Sequence, residues 1–505
     1  MTEPPGLGVS ASAPTGSGSH DAVHGLRAEL LSVIAEWDVV LPDPLEDDTP
    51  LISSGAFDSV ALFNLVLWVE EKTGRCIDPA SVDLLREWDS VTLILQYLGQ
   101  SPTAVVPPVR LRPVKRPVKH LVQRTALRAA RIQIVRYAAE HKPAVIELQK
   151  RLWSPDANLN LRYLDWKYAQ NPYATKPIIY LALAHGEVVG MRGFYPSRWE
   201  AGFPMQLKDV LVADDLVLRE DHRNEGLVTQ IMREALDDLA ETGTNDYIFN
   251  LSGGRLTVLS SFAMGWRSPG SLTPTGRISG SHLLRVALRR HLARLPFLWR
   301  YADSGLLVQR HPFRHLDHCL GAFTTSTGVA VSIAADPRPF AMARLVASQP
   351  YDGRLRHVRD EDYFHWRFRS PLSEHRFFYV GEDPLDGYLV VRCANPEARV
   401  APRVHIIDME ARDERAGSAL LDAVIRAGRF DELVVWSESL RPQFRAMLGK
   451  LKFKPADQHL APYGLPRILV RPIDDKRLAD EWLIHGVRLL DLENWDMRMI
   501  YSMAG

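Results

Sequence analysis

Cysteine is nearly missing from this chain: 505 residues carry three, Cys76, Cys319 and Cys393. No two are spaced as metal ligands or as a redox pair, which excludes a disulfide scaffold and fits a reducing, cytoplasmic setting. A surplus of either charge is also lacking, since 61 Lys and Arg balance 61 Asp and Glu. That balance argues against a protein built as a whole to coat nucleic acid or a membrane surface. No apolar run approaches the ~20 residues of an integral membrane segment. The N-terminus has no charged start followed by an apolar core. Its first 21 residues, rich in Gly, Ser, Pro and Thr, read as a disordered lead-in.

What is present falls into blocks, and the length itself calls for more than one hydrophobic core. Apolar residues recur at helical spacing over 22–42 (Val23, Leu26, Leu30, Leu31, Ile34) and over 59–73 (Leu62, Leu65, Val66, Val69). A third, shorter helix is expected over Trp88–Leu98, with Asp89 or Ser90 as its N-cap. These make a small α-helical bundle over 22–100. Residues 101–125 change character, with five prolines and a run of positive charge in SPTAVVPPVRLRPVKRPVKH, and read as an extended basic linker.

From residue 126 the pattern is mixed α/β, and it occurs twice. Tyr163-Leu-Asp-Trp166-Lys-Tyr168 returns 200 residues later as Tyr363-Phe-His-Trp366-Arg-Phe368. A strand pair follows each, from Ile178 and Val188 in the first copy and from Phe377 and Tyr388 in the second. VLVADDLVL (210–218) then leads to a helix near Glu225, and VHIIDMEA (404–411) to a helix near Ala416. The expected units are 126–278 and 326–475, with a connector over 279–325 and a tail over 476–505. The connector holds the Arg- and Leu-rich LLRVALRRHLARL, a linking helix in the first reading and a membrane-surface helix in the second. Trp166 and Trp366 read as aromatic core.

One motif lies in the helical block. Leu51-Ile-Ser-Ser-Gly55-Ala-Phe-Asp58-Ser59-Val60 places a serine at the start of an amphipathic helix, after a glycine turn and an aspartate. A hydroxyl there serves as a helix cap or as an exposed attachment point, where a phosphodiester gains from the helix N-terminal field. With the helices around it, this motif resembles the acyl carrier and peptidyl carrier family over nearly all of residues 25–100. The resemblance implies a covalent 4′-phosphopantetheine arm on Ser59, installed by a phosphopantetheinyl transferase. Carrier domains dock partners through the helix after the serine, here carrying Glu70, Glu71, Phe63 and Trp68.

The second motif is Arg223-Asn-Glu-Gly226-Leu-Val228, between an apolar strand and the helix LVTQIMREALDDLA. A glycine at such a turn lets backbone amides approach a phosphate. With strand DYIFNL and the following helix to Met264-Gly265-Trp266, it resembles the GNAT acyltransferase superfamily over roughly 128–270. The resemblance implies that Arg223, Gly226 and Val228 hold the pyrophosphate of the donor, Val228 standing where Gly or Ala is usual. It places the general base on strand 4, at Asp214 or Asp215, with Asp209 behind them. The tyrosine that commonly protonates the leaving thiolate is replaced by Ser261. In the second copy Asp408 and Glu410 hold the strand position, while its turn, Arg412-Asp-Glu-Arg415-Ala-Gly417, carries acidic residues that repel a phosphate.

The expected fold is therefore multidomain: a helical carrier domain followed by two α/β GNAT-like domains with mixed sheets, the second with a degenerate donor loop. The fusion implies an acyltransferase that moves an acyl group between a phosphopantetheine arm on its own carrier domain and a small-molecule amine, forming an amide in biosynthesis, with an acyl thioester or acyl-coenzyme A as donor. A separate adenylating enzyme would charge the arm, since no ATP-binding loop is evident. Two other readings are a loading enzyme that moves acyl groups from acyl-coenzyme A onto Ser59, and a non-catalytic docking platform for the carrier. No metal, nucleic-acid or integral-membrane role is expected.

Overall fold

The computed structural model describes residues 18–37, 39, 41, 45–54, 56–57, 59–75, 77, 82–100, 132–222, 226–253, 255–279, 312–394, 404–437, 440, 442–455, 466–479 and 481–503. The chain divides into two compact units, Met1–Lys119 and His120–Gly505. The lead-in before Gly18, the linker over 101–125 and the LLRVALRRHLARL stretch lie outside the described residues.

Among the described residues the first unit has four helices: α1 (Gly18–Ala35), α2 (Ser59–Thr73), α3 (Leu84–Glu87) and α4 (Val91–Gln100). Their shared core is built from Leu30, Ile34, Leu62, Leu65, Val66, Val69, Trp88, Val91 and Ile94, all buried. Ser90 Oγ accepts from Leu93 N and so caps α4. Asp89 instead turns back on the loop before α2. Its carboxylate accepts from Ile52 N and Ser53 N at 2.7 and 2.8 Å, and its carbonyl from Leu51 N. The docking residues expected on α2 are not all on its surface. Trp68 is buried, and Glu70 is buried because its carboxylate accepts from Ile77 N. Phe63 is half-buried and Glu71 exposed.

The second unit contains two lobes, each built on an eight-stranded mixed sheet. Lobe 1 begins with β1 (Gln133–Arg136), α5 (Lys142–Gln149), α6 (Ala157–Leu164) and a π-helical turn over Asp165–Ala169. It continues through β2 (Ile178–Ala184), β3 (Glu187–Ala201), β4 (Gln206–Leu218), α7 (Leu227–Thr242), β5 (Tyr247–Gly253), α8 (Arg255–Ala263) and β6 (Arg267–Ser271). Strand β7 (Pro274–Ile278) follows. Lobe 2 has β8 (Gly321–Thr324), β9 (Ala330–Ala334), a short β10 (Arg356–His357), β11 (Ser373–Val380), β12 (Gly387–Ala394) and β13 (Val404–Ala411). It ends with β14 (Glu432–Trp436), β15 (Lys454–Pro455) and β16 (Arg467–Pro472).

The lobes exchange strands on either side of the expected boundaries at 278 and 475. β7, continuous in sequence with lobe 1, lies between β14 and β15 of lobe 2. β16, from the end of lobe 2, lies between β5 and β6 of lobe 1. β10 adds to β3 as well. Each sheet is therefore completed by the other copy's chain, and Ile468, Leu469 and Val470 of β16 are fully buried.

The pseudo-symmetry has a visible centre. Trp166 and Trp366 stack with centroids 4.9 Å apart and planes 13° from parallel. Each indole Nε1 donates to the other's backbone carbonyl, both at 2.7 Å. Described residues of the segment expected as a tail, 481–503, pack into the fold. Trp482, Trp495, Met497, Ile500 and Tyr501 are buried in the core the two lobes share, because Tyr363 and Arg367 donate to the carbonyl of Ile500 and hold that segment down.

Candidate functional site

In lobe 1 the parallel pairing of β4 with β5 is confined to Leu211–Ile248 and Val212–Phe249. Just past that contact β4 carries Asp214 and Asp215. Opposite Arg192, β4 has one extra residue, a bulge where the register shifts between Met191 and Gly193. Asp215 sits in it with φ of 50°. Bulges re-aim side chains, and here the result is a buried cluster.

Lys167, fully buried, donates to Asp214 Oδ2 at 2.8 Å and to Asp215 Oδ1 at 2.9 Å. Asp215 also accepts from Trp153 Nε1 at 2.9 Å and from Tyr168 OH at 2.7 Å. The rings of Trp153, Tyr163, Tyr168 and Tyr195 surround the ammonium at 5.2–5.5 Å. Burial disfavours the Lys167 charge, but the two carboxylates and the tyrosines outweigh it and hold its pKa well above the usual value. Burial pushes Asp215 up, with Lys167 opposing. A π-turn adds one residue to a helical turn, and here it lets the consecutive Lys167 and Tyr168 both reach Asp215. Gly193 is required beside them, since a Cβ there would lie 1.8 Å from the Tyr168 hydroxyl oxygen.

Past the end of β4 the chain enters α7 through Gly226, in a left-handed conformation with φ of 69°. Among the described residues no side chain caps this helix start, and a Cβ at Gly226 would meet none of their atoms within 4 Å. The first amides of α7 therefore have no side-chain cap from the described residues. Arg223 lies outside the described residues. Val228 is half-buried in the first turn, Ser261 is buried on α8, and Asp209 is tied to Arg198 at 2.7 Å near the β3–β4 hairpin.

Lobe 2 solves the same positions differently. Asp408 stands three residues before the end of its strand, as Asp215 does. Arg359 donates to Asp408 and Glu410 at 3.0 and 2.9 Å, and Arg498, from the C-terminal segment, donates to them at 2.9 and 2.6 Å. Tyr388 OH donates to Asp408 at 2.7 Å, and Asp496 accepts from Arg498. The helix Glu414–Gly428 is capped by Asp413, whose carboxylate accepts from Ala416 N at 2.8 Å. A carboxylate occupies the place where an anionic ligand would bind.

Ser59 is the first residue of α2, and Gly55 and Asp58 lie outside the described residues. Among the described residues no three His, Cys, Asp or Glu side chains are arranged to hold a metal ion, and no helix is long and apolar enough to cross a membrane.

Sequence reasoning placed Asp214, Asp215, Asp408 and Glu410 on their strands but missed the residues that engage them. Lys167 and Tyr168 lay inside the repeated Tyr-x-x-Trp motif, which offered the signal. Arg359, Tyr388 and Arg498 had none.

Residues 143–252 match the model of the Acetyltransferase (GNAT) family and form a GNAT domain. No curated protein sequence matches the chain. Among solved structures the chain is similar to a GCN5-related N-acetyltransferase from Anabaena variabilis, at 11% identity over 68% of this chain and 73% of that one, TM-score 0.41. A tandem GNAT protein from the clavulanic acid biosynthesis pathway shares 13% identity over 68% of this chain and 99% of its own, TM-score 0.40. Eis1 from Mycobacterium abscessus shares 14% identity over 68% and 74%, TM-score 0.36.

Proposed function

We propose that the protein is an acyltransferase whose chemistry belongs to lobe 1 and whose donor is an acyl thioester on a 4′-phosphopantetheine arm at Ser59. The observation that carries the assignment to lobe 1 is the uncapped start of α7 at Gly226, against the Asp413-capped start in lobe 2. The Cβ position of Gly226 meets no described atom within 4 Å, which supports a donor phosphate held there by the α7 amides. Ser59 stands at a helix start whose preceding loop is anchored by Asp89, which supports a modifiable serine. Tethering raises the donor's effective concentration into the millimolar range.

With an amine acceptor, the nitrogen lone pair attacks the thioester carbonyl. The C–N bond forms, the C–S bond breaks, the ammonium proton passes to a base, and the thiolate takes up a proton. Asp214 is the base candidate, because its side chain is 15% exposed while that of Asp215 is sealed. Ser261 is assigned the thiolate side, where a leaving group of pKa near ~8.5 needs little assistance.

One observation favours transfer in the other direction, from acyl-coenzyme A onto the arm. Both β4 carboxylates are bonded to Lys167, and a thiol acceptor places less demand on a base. The holo-protein, offered labelled acetyl-coenzyme A, separates the two by the mass of the Ser59 peptide. Label on Ser59 without a ligase supports loading. An arm that stays bare until a ligase charges it, then discharges only to an amine, supports amide synthesis. Inertness in both formats leaves a docking platform. Ser59→Ala is expected to abolish arm-dependent transfer; full turnover in that variant would refute the tethered donor.

A further inference from the structure

Lobe 2 seals a guanidinium in its interior with no carboxylate bonded to it among the described residues. Arg392 on β12 is 1% exposed, and among the described residues neither its Nε nor its Nη2 has a hydrogen-bond partner. His375 on β11 stands directly across the strand pair, also buried, with Nε2 unpartnered. Opposed residues of an antiparallel pair hold their Cβ atoms about 5 Å apart. Arg367 is a further buried cation nearby, but it is spent on the carbonyls of Ile500 and Ser502 at 2.8 and 2.9 Å. Arg376 turns to Asp317 instead.

These surroundings are one-signed. Burial and then Arg367 push the Arg392 pKa down to about 9, which leaves it charged at neutral pH. Burial and the arginines Arg367, Arg392 and Arg376 hold His375 well below the ordinary histidine value, so its imidazole is neutral. Arg359 and Arg498, also buried, are each matched by carboxylates, and Arg367 by two carbonyls; Arg392 has neither for its Nε or Nη2 among the described residues. An uncompensated buried charge is among the costliest arrangements a core can hold. The two orphaned atoms are moreover the adjacent donors of one guanidinium edge, the fork that takes a carboxylate in two parallel bonds.

We infer that Arg392 and His375 form a binding site for one small monovalent anion, of the carboxylate or halide class, held by the Nε–Nη2 edge and His375 Nε2. The site is independent of the acyl-transfer reading. It serves the junction of the lobes, since Arg392 lies on the β12 face that, through Val390, joins the shared core.

The full-length protein, prepared with a bulky sulfonate as its sole anion, is titrated with sodium formate or sodium chloride at constant ionic strength. The thermal midpoint of the wild type should rise saturably, by roughly 2–4 °C, and that of Arg392→Met should not. A larger response to formate identifies the carboxylate, and a larger response to chloride the halide. A flat response in the wild type, or the same rise in both proteins, is an ionic-strength effect only and overturns the site. Should Arg392→Met fail to fold, wild-type crystals soaked in bromide decide: anomalous density beside Arg392 and His375 is expected, and density that shows neither bromide nor a carboxylate there refutes it.

Discussion

The two lobes descend from one pattern, and they spend their buried charges on different ends. In lobe 1 a single lysine from the π-turn satisfies two β4 aspartates, and the following helix starts on a bare glycine. In lobe 2 two arginines lock Asp408 and Glu410, and Asp413 caps the following helix. The residue after the central tryptophan shows the divergence most directly. Lys167 points to the strand-4 acids, whereas Arg367 holds the C-terminal segment through Ile500 and Ser502. One lobe starts its helix without a side-chain cap among the described residues, and the other ties the C-terminal segment to the shared core.

The largest expected effect that tests this contrast comes from Lys167→Met. Leaving Asp214 and Asp215 without their cation should cost about 3–5 kcal/mol in denaturant unfolding. Arg367→Met, which breaks only bonds to neutral carbonyls, should cost clearly less. Equal losses would remove the distinction between the two positions. Trp366→Phe deletes one of the reciprocal indole bonds and orphans the buried Trp166 carbonyl, an expected loss of about 1–3 kcal/mol.

Gly226→Asp gives lobe 1 the carboxylate cap of lobe 2. It should weaken donor binding roughly tenfold, seen as a raised KM, since charge at a helix terminus acts in the range of about 1 kcal/mol. An unchanged KM would argue that α7 does not face the donor.

The smallest effect is in the pH dependence. Burial, with Arg359 and Arg367 nearby, pushes the His357 pKa down to about 3. Below about pH 6.5 the unfolded chain binds a proton there that the folded chain refuses, so stability is present above that pH and is lost as pH falls toward 3. His357→Phe, placed among Tyr363, Tyr501 and Trp199, should flatten that slope without abolishing it, because His375 adds a slope of the same sign.

Local pattern was sufficient wherever one element fixes its own outcome. Helix α2 begins at Ser59 and ends at Thr73 as the apolar spacing requires, and β2 and β13 have the bounds their apolar runs give. Strand period and helix period are properties of a few adjacent residues, so they survive without a partner. The exchange of β7 and β16 left no such trace. A strand with one sequence fits the slot of either lobe, and only the closed pair of sheets says which slot it fills.

The same limit governed the candidate site. The sequence by itself determined the internal repeat, the serine at the head of α2, the glycine at the head of α7 and the acidic residues of β4 and β13. Tertiary structure alone decided that Lys167 neutralises one acidic pair, that Arg498 reaches back some 90 residues to neutralise the other, and that Trp166 and Trp366 meet face to face. The physical reason is that hydrogen bonding, burial and charge pairing depend on distance in space. Periodicity reports which face a residue occupies, but it cannot report what that face meets.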